Sequence, residues 1–228
     1  MYYKYLKSVL RHKWFVFIEA CRLGVPWFGF IHDASKFQPC EFFPYAKYFH
    51  GDFVYESWTD VPMYVKQHHP GTVSLKADVN LAFDVAWHHH QKHNKHHWQA
   101  WLYVRRDSLV AASDIGTQRC SHIIEEVTLP GERPERITPG PIHIGRTKIL
   151  VNGSDGARCL HCGKTFPLDI FSALPMPERY ISEMVADWRG AGRAYGNPNT
   201  VEWYEKNKHN QIMHSETRRR VEELLNDL

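Results

Sequence analysis

His32-Asp33-Ala34-Ser35-Lys36 sets an imidazole and a carboxylate on adjacent residues. The pair is a compact start to a site for a divalent metal of hard or borderline character. Asp33 follows Phe30-Ile31, and a carboxylate beside such an apolar run needs a partner. The plain alternative is a helix cap or a surface acid. A two-residue match is common by chance, so its meaning depends on where other candidate ligands stand.

Upstream, residues 2–23 follow a helical period. Tyr5, Val9, His12, Val16, Ala20 and Leu23 share one face, which points His12 inward. For a lone histidine there, the plain reading is a core residue with one hydrogen bond. Gly24 ends this helix and Pro26 stops its continuation. Phe28 to Phe37 reads as a second short helix or helical turn carrying His32-Asp33. Residues 38–50 are aromatic-rich and interrupted by Pro44, and Gly51 to Lys76 reads mostly as loop.

Downstream, Lys76 to Trp101 is a third helical region. Ala82, Val85, Ala86 and His89 share a face that His93 and His96 extend. His90 and His97 lie roughly 80–100° round it. With Asn94 as a helix breaker, phase does not choose among these histidines. The run holds more imidazole than packing needs and is expected to supply at least one ligand; a solvated polar face is the alternative. Pro177-Glu178 opens another helix. There Tyr180, Met184, Asp187, Ala191 and Ala194 share a face, so Asp187 is a second inward carboxylate. Gly190, Gly192 and Gly196 are expected to mark its exit. Asn199-Thr200 caps a short helix to about Asn207, and a last amphipathic helix starts at His214-Ser215-Glu216.

Between 105 and 172 helical periodicity disappears. Prolines and glycines punctuate the chain, and alternation over Thr147–Val151 with a turn at Asn152-Gly153 predicts short strands and hairpins. Cys159-Leu160-His161-Cys162-Gly163 has the form of a zinc-ribbon knuckle, in which glycine lets backbone amides turn toward the thiolates. A four-ligand site needs a second pair, and Cys120 with His122 are the best upstream candidates. The expected organisation is therefore a mainly α chain: a helical core in residues 1–104 and 173–228, and a small β-rich insert at 105–172.

Composition bounds the rest. At 228 residues, 43% hydrophobic and 23% charged, the chain buries a real core. A formal charge of +3 is too mild to imply nucleic acid. Sixteen histidines are many for this length. Five cysteines, an odd number, argue for a reducing cytoplasm and a metal over a disulfide framework. No apolar run reaches the roughly 18 residues of a membrane helix. The insert sets Arg133, Arg136, Arg146, Lys148, Arg158 and Lys164 against Glu125, Glu126, Glu132, Glu135, Asp155 and Asp169. That balance argues against a strong phosphate-backbone surface.

Ordered as H…HD…H…H…D, the candidates resemble the HD superfamily of metal-dependent hydrolases, which are all-helical. H-D-x-x-K, with Lys36, looks like the motif of HD-GYP phosphodiesterases, although the GYP portion is absent. HDASKF (32–37), HHxxxNxHHW (89–98) and MPERYISEMVADW (176–188) together look like a family of bacterial and phage proteins related to that superfamily. The resemblance covers roughly residues 1–104 and 173–228 and implies an HD-like helical bundle. It implies that His12, His32, Asp33 and Asp187 hold a first divalent metal (Mn, Co, Mg, Fe or Zn). Asp33 would bridge to a second, held by His89 or His90 and by His97. Lys36 would sit beside the metals and offset phosphate charge; Arg189 or Arg193 would serve similarly.

The function the resemblance implies is a metal-dependent phosphohydrolase acting on a nucleotide or other phosphate ester, with Asp33 and Lys36 in catalytic positions. Two other classes stand beside it. Di-iron oxygenases related to inositol oxygenase use the same ligand order. A nucleic-acid or protein binding module would use the zinc-ribbon-like insert.

Overall fold

The apolar stripe of the N-terminal segment becomes helix α1, Tyr2–Arg22, which buries Tyr5, Val9, His12, Val16, Glu19 and Ala20. It ends as its glycine predicts. Gly24 takes φ +75°, its N–H donates to the Cys21 carbonyl, and the Val25 N–H reaches back to the Ala20 carbonyl. That crossed pair satisfies carbonyls the last turn would leave open. The computed structural model describes residues 1–51, 77–104, 142–143, 149–151, 157–160, 165–166, 168 and 171–227. They form a mainly helical protein with a few short antiparallel strands. Among them, no helix is long and apolar enough to cross a membrane.

The chain divides into two compact units, Met1–Asn94 with Ala186–Pro198, and Lys95–Val185 with Asn199–Leu228. In the first, α1 is followed by α2 (Pro26–Ile31), a 3₁₀ turn (Ala34–Phe37), α3 (Pro39–His50) and α4 (Ala77–His93). The short helix or helical turn expected over Phe28–Phe37 is a helix and a 3₁₀ turn, parted at His32-Asp33. Helix α3 runs through Pro44 instead of being interrupted by it. The proline ring removes one early hydrogen bond, a cost of about 3 kcal/mol in a helix interior. Against it, Tyr45 and Ala46 are buried in a cluster with Tyr5, Val9 and Ala86, and Phe42, Phe49, Phe83 and Trp87 pack around them. At about 1.5–3 kcal/mol for each large side chain removed from water, burial wins.

Helix α5, Glu178–Tyr195, contributes to the first unit from Ala186 onward. Gly190 and Gly192 lie inside it, and only Gly196, with φ +84°, marks its exit. Gly190 has a different purpose. A Cβ there would stand 2.6 Å from both the backbone nitrogen and Cγ2 of Val16. The missing side chain lets α5 pack directly on the backbone of α1, beside a buried cluster of Val16, Ala20 and Ala186.

The second unit begins with a 3₁₀ turn at Trp98–Trp101 and strand β1, Leu102–Val104. Strand β1 pairs antiparallel with β2 (Ile142–His143) and β6 (Phe171–Ala173), with Leu102 opposite Ala173. A second sheet orders β3 (Ile149–Val151), β4 (Ala157–Cys159) and β5 (Thr165–Phe166), with Ile149 opposite Cys159. The alternation expected near Val151 is absent: Ile149, Leu150 and Val151 are all buried, the pattern of a strand covered on both faces. Helices α6 (Thr200–Asn207) and α7 (Ser215–Asn226) complete this unit. Asn199 caps α6, its side chain accepting from the Glu202 N–H at 3.1 Å. Val221, Leu224 and Leu225 form the buried side of α7.

Candidate metal centre

Four segments of the first unit aim donor atoms at one place. His12 comes from the middle of α1, His32 from the end of α2, His90 from the last turn of α4 and Asp187 from α5. The Nε2 atoms of His12 and His32 are 3.3 Å apart. Asp187 Oδ1 lies 3.1 Å from the first and 3.4 Å from the second. Asp33 Oδ2 lies 3.6 Å and 3.3 Å from the same two nitrogens. Metal–ligand bonds of about 2.1 Å put neighbouring ligands about 3.0 Å apart in an octahedron and about 3.4 Å apart in a tetrahedron. Four of the five spacings fall in that range, and the fifth, His12 to Asp33, is 0.2 Å beyond it. The donor set therefore fits a divalent cation.

Asp33 is the pivot. Its other oxygen, Oδ1, faces His90 Nε2 at 3.2 Å, so the carboxylate presents one oxygen to the His12–His32–Asp187 side and one to His90. A cap reading fails, because its side chain makes no capping bond to the turn it precedes. Its backbone has φ +53°, and no other non-glycine among the described residues has positive φ. Aspartate tolerates that region better than most residues, but still at a cost. The turn is held by the neighbours: the Lys13 ammonium donates to the carbonyls of Phe30 and His32. Strain kept where a side chain must be aimed is the usual signature of a working position.

Burial raises the pKa of both carboxylates, yet each ends well below its usual value. For Asp33 the charges of His32, Lys36 and His90 overcome the desolvation. For Asp187 hydrogen bonds and charge from His12 and His32 do so. Lys36 Nζ donates to Asp33 Oδ2 at 2.5 Å. Burial lowers the lysine pKa, but the Asp33 charge more than reverses this, and the ammonium stays protonated.

His89 and His90, which phase could not separate, have different surroundings. His90 is fully buried and faces Asp33; His89 Nδ1 instead meets Glu41 Oε1 at 2.6 Å, and its other nitrogen lies 4.0 Å from Cys40 Sγ. Asn94 ends α4, its amide donating to the His90 carbonyl at 2.9 Å and to Ser35 Oγ at 2.7 Å. His97 belongs to the second unit, where its ring lies 4.2 Å from that of His96, and His96 Nδ1 meets Glu183 at 3.1 Å. Arg193, expected beside a phosphate, meets an anion of its own chain, buried Glu19, at 2.5 Å. Arg189 is partly buried, and desolvation lowers its pKa against the opposing charge of Glu19. Of the expected zinc ligands, Cys159 is buried in β4; Cys120, His122 and Cys162 lie outside the described residues.

Glu41 was not anticipated. It sits in the first turn of α3, where an acid is unremarkable because it complements the helix dipole. The missed signal was its setting, Glu41-Phe42-Phe43, another carboxylate in an apolar run. It has no solvent exposure and bonds to Ser35, His89 and His90.

Residues 1–116 and 164–227 match a family of unknown function, DUF5662. The chain belongs to that family. The match omits residues 117–163, while all the clustered donors lie within it. No curated protein and no solved structure matches the chain.

Proposed function

We propose that this DUF5662 protein is a metal-dependent phosphohydrolase of the HD type, acting on a nucleotide or other phosphate ester. The observation that carries the reading is the convergence of His12, His32, Asp33 and Asp187, with His90 on the far side of Asp33 and Lys36 against it. Imidazole and carboxylate together suit Mn, Co, Fe or Zn better than the all-oxygen preference of Mg. A bound divalent ion supplies Lewis acidity and a water acidic enough to act as a nucleophile near neutral pH. The chain's own residues do the rest. His12, His32, His90, Asp33 and Asp187 fix position, and the buried setting strengthens their electrostatics. Lys36 adds a fixed positive charge where a phosphoryl group gains negative charge. A cytoplasmic location belongs to the same reading; Cys21 and Cys40 are exposed thiols, as a reducing compartment allows.

The test is a metal-depleted preparation without a His tag, reloaded separately with Mn, Co, Mg, Fe or Zn and assayed for phosphate release from nucleotides and aryl phosphates. Hydrolysis with a redox-inert ion is expected. Lys36→Ala is expected to lower turnover about 100-fold while changing metal binding much less. Activity that needs iron and consumes dioxygen would overturn the hydrolase reading in favour of an oxygenase.

A further inference from the structure

Glu41 lies outside the donor cluster yet is sealed from solvent, and its hydrogens can be accounted for one by one. Its Oε2 is 2.8 Å from His90 Nδ1 and 3.0 Å from Ser35 Oγ. Its Oε1 is 2.6 Å from His89 Nδ1. Glu41 thus faces three possible donors, and a carboxylate has no proton to give. The protons in all three contacts must therefore come from the partners. Ser35 spends its hydroxyl hydrogen on Glu41 and accepts from Asn94 at 2.7 Å. The Asn94 amide hydrogens go to Ser35 and to the His90 carbonyl, so its 3.0 Å approach to His90 Nδ1 is proximity between two donors. Ser35 Oγ also lies 3.1 Å from His90 Nδ1, but an unprotonated Nδ1 would set a lone pair against the Glu41 carboxylate at 2.8 Å, so the proton belongs on His90 Nδ1.

We infer that Glu41 is a positioning residue, which fixes His90 with its proton on Nδ1 and its Nε2 lone pair directed at the Asp33 side of the centre. The inference rests on the metal reading above. Such a carboxylate–histidine pair orients the ring and raises its basicity as a ligand, and its loss costs about 10- to 100-fold in metal affinity. The same carboxylate also separates two neighbouring histidines. His90 is turned to Asp33, whereas His89, held through Nδ1 by the other oxygen, presents Nε2 toward Cys40.

Two measurements test this. Nitrogen-15 spectra of histidine-labelled protein, metal-free and Zn(II)-loaded, are expected to show a proton on His90 Nδ1 in both. A His90 with Nδ1 unprotonated in either state overturns the inference. Co(II) titration, followed by visible absorption, is expected to show about 10- to 100-fold weaker binding in Glu41→Gln with an altered ligand-field spectrum. Wild-type affinity and spectrum in that variant overturn it as well. His89→Ala removes the other histidine on Glu41 and is expected to leave the Co(II) spectrum unchanged; a changed spectrum there counts against the assignment. If Glu41→Gln fails to fold, the wild-type tautomer and His89→Ala still decide. Failure of the hydrolase reading is separable: Co(II) binding and the tautomer stand whether or not phosphate is released.

Discussion

Gly190→Ala tests whether the close approach of two helices builds the metal centre. An alanine Cβ would lie 2.6 Å from the Val16 nitrogen and 2.7 Å from its Cα, where ordinary contact begins at 3.4 Å. These are backbone atoms, so a rotamer change relieves nothing, and α1 and α5 must part locally by about 0.8 Å. His12 lies one turn before Val16 on α1, and Asp187 lies nearly one turn before Gly190 on α5. Their 3.1 Å separation must open by a comparable amount. Metal sites tolerate about 0.2 Å in ligand distance. Overpacking costs about 1–3 kcal/mol, and the gain in helix propensity returns about 1 kcal/mol. Net destabilisation is then expected to be small, about 0–2 kcal/mol, while metal affinity falls at least about tenfold, the lower bound for disturbed ligand orientation. Urea denaturation of metal-free protein reads the first quantity and Co(II) titration the second. A Gly190→Ala protein that is more stable than wild type and binds Co(II) equally well would refute the geometry.

Gly24→Ala has open space around its Cβ, so only the left-handed backbone opposes it; a loss of about 1–2 kcal/mol, seen as a melting point lower by several degrees, should accompany unchanged Co(II) affinity. Arg193→Ala removes one of the two arginines hydrogen-bonded to buried Glu19 and leaves Arg22, so stability should drop by about 1–3 kcal/mol while KM for a phosphate ester stays put; a large rise in KM would return Arg193 to the substrate. In metal-free protein the depressed folded pKa values of Asp33 and Asp187 stabilise the fold fully above their unfolded value of about 3.9, and this is lost as pH falls through the lower folded values. Urea midpoints of Asp187→Asn should therefore decline less than those of wild type below about pH 4, and equal declines would show that Asp187 is not held charged.

The helices were legible because burial imposes a period. His12 and Asp187 stood out as polar residues on apolar stripes, and the structure brings both to the same cluster. His90 was not separable from His89 by phase, because the choice depends on Glu41, which reaches both from another helix. Pro44 and Gly190 were misread for a related reason. Local propensity treats each as a breaker, whereas the packing of α3 and the contact of α5 with Val16 lie far away in sequence. Arg193 was expected beside a phosphate, but its partner Glu19 sits 174 residues away. A sequence pattern records which face is apolar; it does not record which polar groups meet across the resulting core.

On the hydrolase reading proposed above, charge is a reason for those polar groups to take a cation before a phosphate. Asp33, Asp187 and Glu41 are held below their ordinary pKa values and carry three negative charges, while Lys36 carries one positive charge. Counting these groups with the imidazoles in the neutral form that metal binding requires, the sum is −3 + 1 = −2, a centre that repels a phosphate dianion at short range. One divalent ion would bring the sum to zero, and a second would bring it to +2. Lys36 cannot supply that reversal, because its ammonium is already matched to Asp33 at 2.5 Å. Its role fits a contribution to turnover more than to capture: a fixed charge beside a neutralised centre stabilises negative charge as it builds on the reacting group. Substrate affinity should therefore follow metal occupancy, and the rate at full occupancy should follow Lys36.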